Sequence, residues 1–284
     1  MDDIRSTFFS RLGFMQGRLS PIVDHKIQSF PWLNWQAEFS EASRLDLHHM
    51  EWTLDYDRIY ENPLLTAGGQ SEIRKLSTLF NIKIPSLTGD CFMQRPFWKY
   101  SGAVLNELQN DFLAILHACA AVNITLIVVP LVDNGCIDND LQMNTLVAFL
   151  LESIPVLHSN NQRIVFESDF EPERLLGLIE LFPDDMFGIN YDIGNSASLG
   201  FDPLDEFNLY GNRIYNVHIK DRLLNSTTVP LGEGDAKFVD VFNALNEINY
   251  KGNFILQTAR SKCNQHSDEL RSSMNFLRNI LGDL

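Results

Sequence analysis

Eight short apolar runs, each closing on a polar tip and followed by a stretch with helical spacing, constrain this chain more than any other feature. They span 12–15, 45–52, 82–87, 125–132, 163–166, 187–191, 214–219 and 253–258. Most are continuous rather than alternating, the pattern of parallel strands covered on both faces. The intervening helical stretches are expected near 34–45, 70–80, 102–122, 139–158, 172–182, 236–248 and 266–281. Trp35, Phe39 and Ala42 share one face of the first, with Asn34 as its N-cap candidate. A polar segment long enough for a loop and a short helix separates the sixth and seventh runs. No string of hairpins interrupts the order; the Asn134-Gly135 pair leads into a helical stretch. Right-handed crossovers at this count predict an α/β fold, a single (β/α)8 barrel over residues 1–284. An open doubly wound sheet is the alternative, but no GxGxxG or GxxxxGK[ST] loop supports it.

Composition narrows the class. With 284 residues, 45% hydrophobic and 21% charged, the chain can bury a substantial core. A formal charge of −15 argues against a nucleic-acid surface, while a few local cations can still hold a small anion. Cys91, Cys119, Cys136 and Cys263 show no metal-binding spacing and read as free thiols. The acidic N-terminus lacks an apolar signal core, and the apolar run at 126–132 is broken by Pro130. A soluble cytoplasmic protein with no membrane segment is the expectation; a homo-oligomer is compatible with it. Phe92, Pro96, Phe97, Trp98 and Tyr100 cluster on one loop, read either as a lid or as core.

In a parallel barrel, side chains ending successive strands converge on one mouth. The fifth to eighth runs end in Glu167, Asp192, His218 and Gln257. Two carboxylates, an imidazole and a carboxamide oxygen suit one divalent cation: Mn²⁺, Mg²⁺ or Co²⁺, with Zn²⁺ also accommodated. Alternation places Asn190 with Asp192 on one face and Asn216, His218 and Lys220 on another. Glu51, Lys220, Arg222 and Arg260 are the candidate substrate contacts, the cations lying where barrels often bind phosphate.

The sequence resembles the xylose isomerase-like TIM-barrel superfamily over nearly its whole length. The likeness is carried by Gly13-Phe14-Met15-Gln16-Gly17-Arg18-Leu19-Ser20-Pro21, Phe166-Glu167 and Tyr191-Asp192-Ile193-Gly194-Asn195, and by two later motifs. These are Val217-His218-Ile219-Lys220-Asp221-Arg222 and Leu231-Gly232-Glu233-Gly234, which resemble the ketopentose-phosphate 3-epimerases in particular. The resemblance implies a metal held by Glu167, Asp192, His218 and the eighth-strand residue, with a sugar or sugar phosphate as substrate. In those enzymes the eighth-strand residue is Glu and serves as one of two bases; here it is Gln257, which cannot take a proton. The expectation is therefore a metal-dependent isomerase with Glu167 as base, acting through a stabilised enediolate. An inosose-type dehydratase and a non-catalytic sugar-binding barrel are the alternatives. An endonuclease IV-like phosphoesterase would need more His ligands and a DNA-binding face.

Overall fold

The computed structural model describes residues 4–261 and 263–282. Its barrel is built from β1 (Leu12–Met15), β2 (His49–Thr53), β3 (Lys83–Thr88), β4 (Leu126–Leu131), β5 (Arg163–Ser168), β6 (Phe187–Asp192) and β7 (Ile214–Ile219). After a small antiparallel ribbon, β8 (Asp221–Arg222) and β9 (Thr228–Val229), comes the last barrel strand, β10 (Asn253–Leu256). The eight barrel strands are parallel, and β1 pairs with both β2 and β10, so the sheet closes without an edge. Each barrel strand is followed by a helix of eight residues or more: Trp35–Arg44, Ala67–Phe80, Gly102–Ala121, Asp140–Glu152, Pro172–Ile179, Pro203–Tyr210, Phe238–Glu247 and His266–Gly282. This is the (β/α)8 barrel that the alternation predicts.

The departures are local and have physical causes. The second strand begins at His49, not at 45, because Leu45 closes the preceding helix and Asp46 turns the chain through a positive φ of 60°. The helix expected over 139–158 breaks at Ser153, and a second helix, Ile154–Ser159, starts with a proline in its first turn, where the missing N–H costs nothing. Phe92, Phe97 and Trp98 are buried, Phe92 and Phe97 against Phe112 and Trp98 against Phe97, so those three residues of the aromatic loop belong to the core and form no lid. Among the described residues, no helix is long and apolar enough to cross a membrane.

Two irregularities in strand pairing position the site. Between β6 and β7 the register shifts by one residue, which sets Asn190 beside Asn216 and Asp192 beside His218. Between β2 and β3 a similar shift brings Ser86 level with Glu51. The barrel interior at this level is therefore a buried polar layer of Glu51, Ser86, Asn190, Asn216 and His218, each at most 2% exposed.

Candidate metal centre

Alternation along β7 turns Asn216 and His218 inward, while Val217 and Ile219 face the helices; all four are buried. His218 is the hub. Its Nε2 lies 2.8 Å from Glu51 Oε1, and its Nδ1 lies 3.1 Å from Glu167 Oε2 and 3.9 Å from Asp192 Oδ2. One ligand atom from each of Glu167, Asp192 and His218 lies within 4.8 Å of the others, and all three residues are buried. Hydrogen bonds from neighbouring side chains hold these groups in place. Glu51 Oε2 accepts from Ser86 Oγ (2.7 Å) and Asn216 Nδ2 (2.9 Å), and Asn216 also donates to Asn190 Oδ1 (2.8 Å). Glu167 accepts from Asn190 and Asn195 amides at 2.9 and 2.8 Å, and Asp192 Oδ1 accepts from the Asn195 backbone N–H at 2.9 Å, capping the helix that follows.

A carboxylate on one ring nitrogen and an oxygen cluster on the other is the arrangement that orients a metal-ligating histidine. The donor set therefore fits a divalent cation, with His218 presenting Nδ1. Without one, burial opposes a second proton on the imidazole, but Glu51 and Glu167 outweigh it and raise its pKa to about 10. Burial pushes Glu167 up, yet the His218 hydrogen bond and charge hold it below the usual carboxylate value. Asp192 is raised, chiefly by burial, with Lys220 opposing.

The remaining expected residues divide. Gln257 follows β10, and its Oε1 accepts from Lys220 Nζ at 3.1 Å rather than turning to His218. Lys220 also bonds Asp192 Oδ2 and Asn195 Oδ1, each at 3.1 Å, so its ammonium bridges the β6 and β10 sides of the centre. Arg222 stands at the rim, donating to Asn195 Oδ1 at 2.9 Å and to the Ser226 carbonyl. Glu51, expected to touch substrate, lies beneath His218 as its partner and does not line the cavity. Arg260 also turns away: its guanidinium donates to the Gly17 and Ser20 carbonyls and braces the loop after β1. Asp221 is spent on the backbone N–H groups of Gly232, Gly234 and Ala236.

Above the triad opens a cavity of about 920 Å³ lined by Glu167, Lys220, Arg222 and Gln257, and by residues the strand-end pattern missed, Arg18, Gln28 and Asp90 among them. Arg18 is buried and fixed by the Thr258 and Ile27 carbonyls; burial, with Arg260 adding, lowers its pKa to about 9. Gln28 reaches in from the long loop after β1, where no periodicity marks it. Asp90 was visible as the end of a Thr-Gly-Asp tip, but such a tip reads as a turn.

Comparisons with known proteins agree with this fold. Residues 39–280 match the family model described as xylose isomerase-like TIM barrel. A protein of Escherichia coli (strain K12), provisionally assigned as L-ribulose-5-phosphate 3-epimerase SgbU, is 30% identical over 93 residues, 30% of this chain. The match spans about a third of that relative's length, 32%. A D-allulose 3-epimerase from Methylomonas sp., solved with D-allulose, superposes with a TM-score of 0.72 at 13% identity, over 95% of this chain and 97% of its own. The IolI protein, solved with a zinc atom, gives 0.72 at 15% identity over 96% and 98%. With the family model covering most of the chain and the closed barrel beneath it, this protein belongs to the xylose isomerase-like TIM-barrel family.

Proposed function

We propose that the protein is a divalent-metal-dependent isomerase or epimerase of a small ketose or ketose phosphate. One observation carries the reading: Glu167, Asp192 and His218 converge, buried, and Glu167 among them lines a cavity of sugar-accommodating size. The family, and relatives described as 3-epimerases of L-ribulose 5-phosphate and D-allulose, support it.

Glu167, Asp192 and His218 would hold the cation, with the Gln257 oxygen as a fourth donor once released from Lys220. A divalent ion there supplies Lewis-acid stabilisation of the charge that develops on a carbonyl oxygen when the neighbouring carbon loses its proton. Glu167 removes that proton: the Asn190 and Asn195 amides fix its carboxylate, and its lowered pKa keeps it ionised at neutral pH. Asn195 and Lys220 give the mouth hydrogen-bonding groups for sugar hydroxyls, and Arg222 adds a cation at the rim. Glu51 acts only through His218, by fixing its ring.

The test combines metal content with a screen of D-fructose, D-allulose, L-ribulose 5-phosphate and an inosose, with and without chelator. Turnover of a ketose that chelation abolishes and Mn²⁺ restores is expected. His218→Ala should weaken Mn²⁺ affinity more than about tenfold, since even losing a partner of a metal ligand costs that much. Stoichiometric Mn²⁺ retained by His218→Ala would refute the metal assignment. Elimination of water from the inosose alone would move the protein to the dehydratases.

A further inference from the structure

Four carboxylates line the cavity: Asp90, Asp133, Glu167 and Asp169. Asp133 and Asp169 are exposed, whereas Asp90 and Glu167 are 9% and 6% exposed. Asp90 is placed by a tight turn. The Gly89 N–H bonds the Val128 carbonyl at 3.1 Å, and a Cβ at Gly89 would lie 2.7 Å from that oxygen and 2.3 Å from the Phe92 ring. The Cys91 N–H bonds the Leu54 carbonyl at 2.8 Å, so both flanks of Asp90 are tied to neighbouring barrel segments.

Its side chain joins the β10 side of the mouth. Asp90 Oδ2 accepts from Gln28 Nε2 at 2.8 Å, and Gln28 Oε1 accepts from Gln257 Nε2 and Arg18 Nη2, both at 3.3 Å. Asp90 thus stands two hydrogen bonds from the position where the 3-epimerases that the sequence resembles carry a glutamate. Glu167 is held separately, by Asn190 and Asn195. Asp90 Oδ1 has no hydrogen-bond partner among the described residues.

We infer that Asp90 is a second catalytic residue, the acid–base group that delivers a proton to the sugar face opposite Glu167, so that the centre epimerises although residue 257 is a carboxamide. The inference rests on the ketose reading above. In the forward step the C3–H proton passes to the Glu167 carboxylate, and its bonding pair forms the C2–C3 double bond as the carbonyl electrons move to oxygen. In the return step the Asp90 carboxyl gives its proton to C3 from the other face and the electrons re-form the carbonyl. Glu167 ends protonated and Asp90 ionised; exchange with water resets both. Asp90 is suited to holding that proton. Burial foremost, then the charges of Asp55 and Glu167, raise its pKa to about 7 against the Gln28 hydrogen bond and the Arg18 charge.

The experiment incubates Mn²⁺-loaded protein with D-fructose, D-allulose and L-ribulose 5-phosphate in D₂O. NMR reads deuterium entering C3 of the recovered sugar separately from epimer formed. Asp90→Asn keeps the Gln28 hydrogen bond; on the epimer whose C3 hydrogen faces Glu167 it should leave exchange within about threefold of native while cutting epimer formation by about 100-fold or more, and on the opposite epimer it should lose exchange as well. Glu167→Gln should lose both. A structural role for Asp90 would instead lower exchange and epimer in parallel on both D-fructose and D-allulose, and that result, or near-native epimerisation by Asp90→Asn, overturns the inference. Native protein that forms only an aldose, with no deuterium at C3, overturns it too, leaving the metal-dependent isomerase intact. No epimer, no aldose and no exchange with any of the three sugars sinks the ketose reading and Asp90's role together.

Discussion

Two buried carboxyls near the mouth stand where charge is expensive. Glu38 accepts the Gly17 and Leu19 N–H groups at 2.9–3.0 Å, and Asp90 accepts from Gln28; burial raises each to about 7. A folded pKa above the unfolded one means that the native chain keeps a proton which the unfolded chain has released. The stability this provides is complete below the unfolded value near pH 4 and is lost as the pH climbs through 7. Asp90→Asn removes the titration, so from pH 4 to pH 8 the variant should gain on the native protein by on the order of a few kcal/mol. Urea unfolding of the metal-free proteins at both pH values measures it; a constant difference would mean that Asp90 ionises normally. Glu38 keeps a capping role, since its carboxylate fixes the loop that Arg260 braces from the other side.

At the scale of elements, the ribbon after β7 shows how a motif can be recognised for one reason and used for another. Gly232, Gly234 and Ala236 surround the Asp221 carboxylate with three N–H donors, and a Cβ on Gly234 would lie 2.1 Å from Asp221 Oδ1. Gly234→Ala should therefore expel the carboxylate and destabilise the fold by about 1–3 kcal/mol, the cost of unmade buried hydrogen bonds. Because the ribbon carries Arg222, KM for a phosphorylated sugar should rise more than kcat falls; a normal melting temperature with unchanged KM would contradict this. The strands themselves were legible. Residues 12–15 and 214–219 match β1 and β7 end to end, because apolar runs bounded by polar tips leave little choice. Glu167, Asp192 and His218 were legible for the same reason, since closing the barrel brings strand ends together. What lies between strands was not. Arg260 follows β10 closely enough to suggest the mouth, but the chain leaving Thr258 carries its guanidinium to the β1 loop. Gln28 arrives from a segment without periodicity. Glu51 was visible as a strand end, yet its pairing with His218, 167 residues away, depends on a register shift that no local pattern encodes.

Over the whole molecule the charge is −15, yet Arg18, Lys26, Lys220 and Arg222 all line the cavity. Four carboxylates line it too, so the pull on an anion is local to cations such as Lys26 and Arg222, and salt weakens it. For L-ribulose 5-phosphate, raising ionic strength from about 0.05 to 0.5 M should increase KM severalfold, while KM for neutral D-fructose stays level. Equal sensitivity of both sugars would remove any role for the rim cations. The polar layer within the barrel has a different consequence, one of evolvability. Glu51, Ser86, Asn190 and Asn216 occupy interior positions that barrels ordinarily fill with branched apolar side chains, and each leans on another or on a residue of the candidate metal centre. Substitutions there remove a packing element and an aiming device at once, so a mutational library would lose them as insoluble protein before any change of activity could be selected. Rim positions such as Lys26, Met93 and Asn225 carry no such double duty, and new substrate preferences in this lineage would accumulate there first.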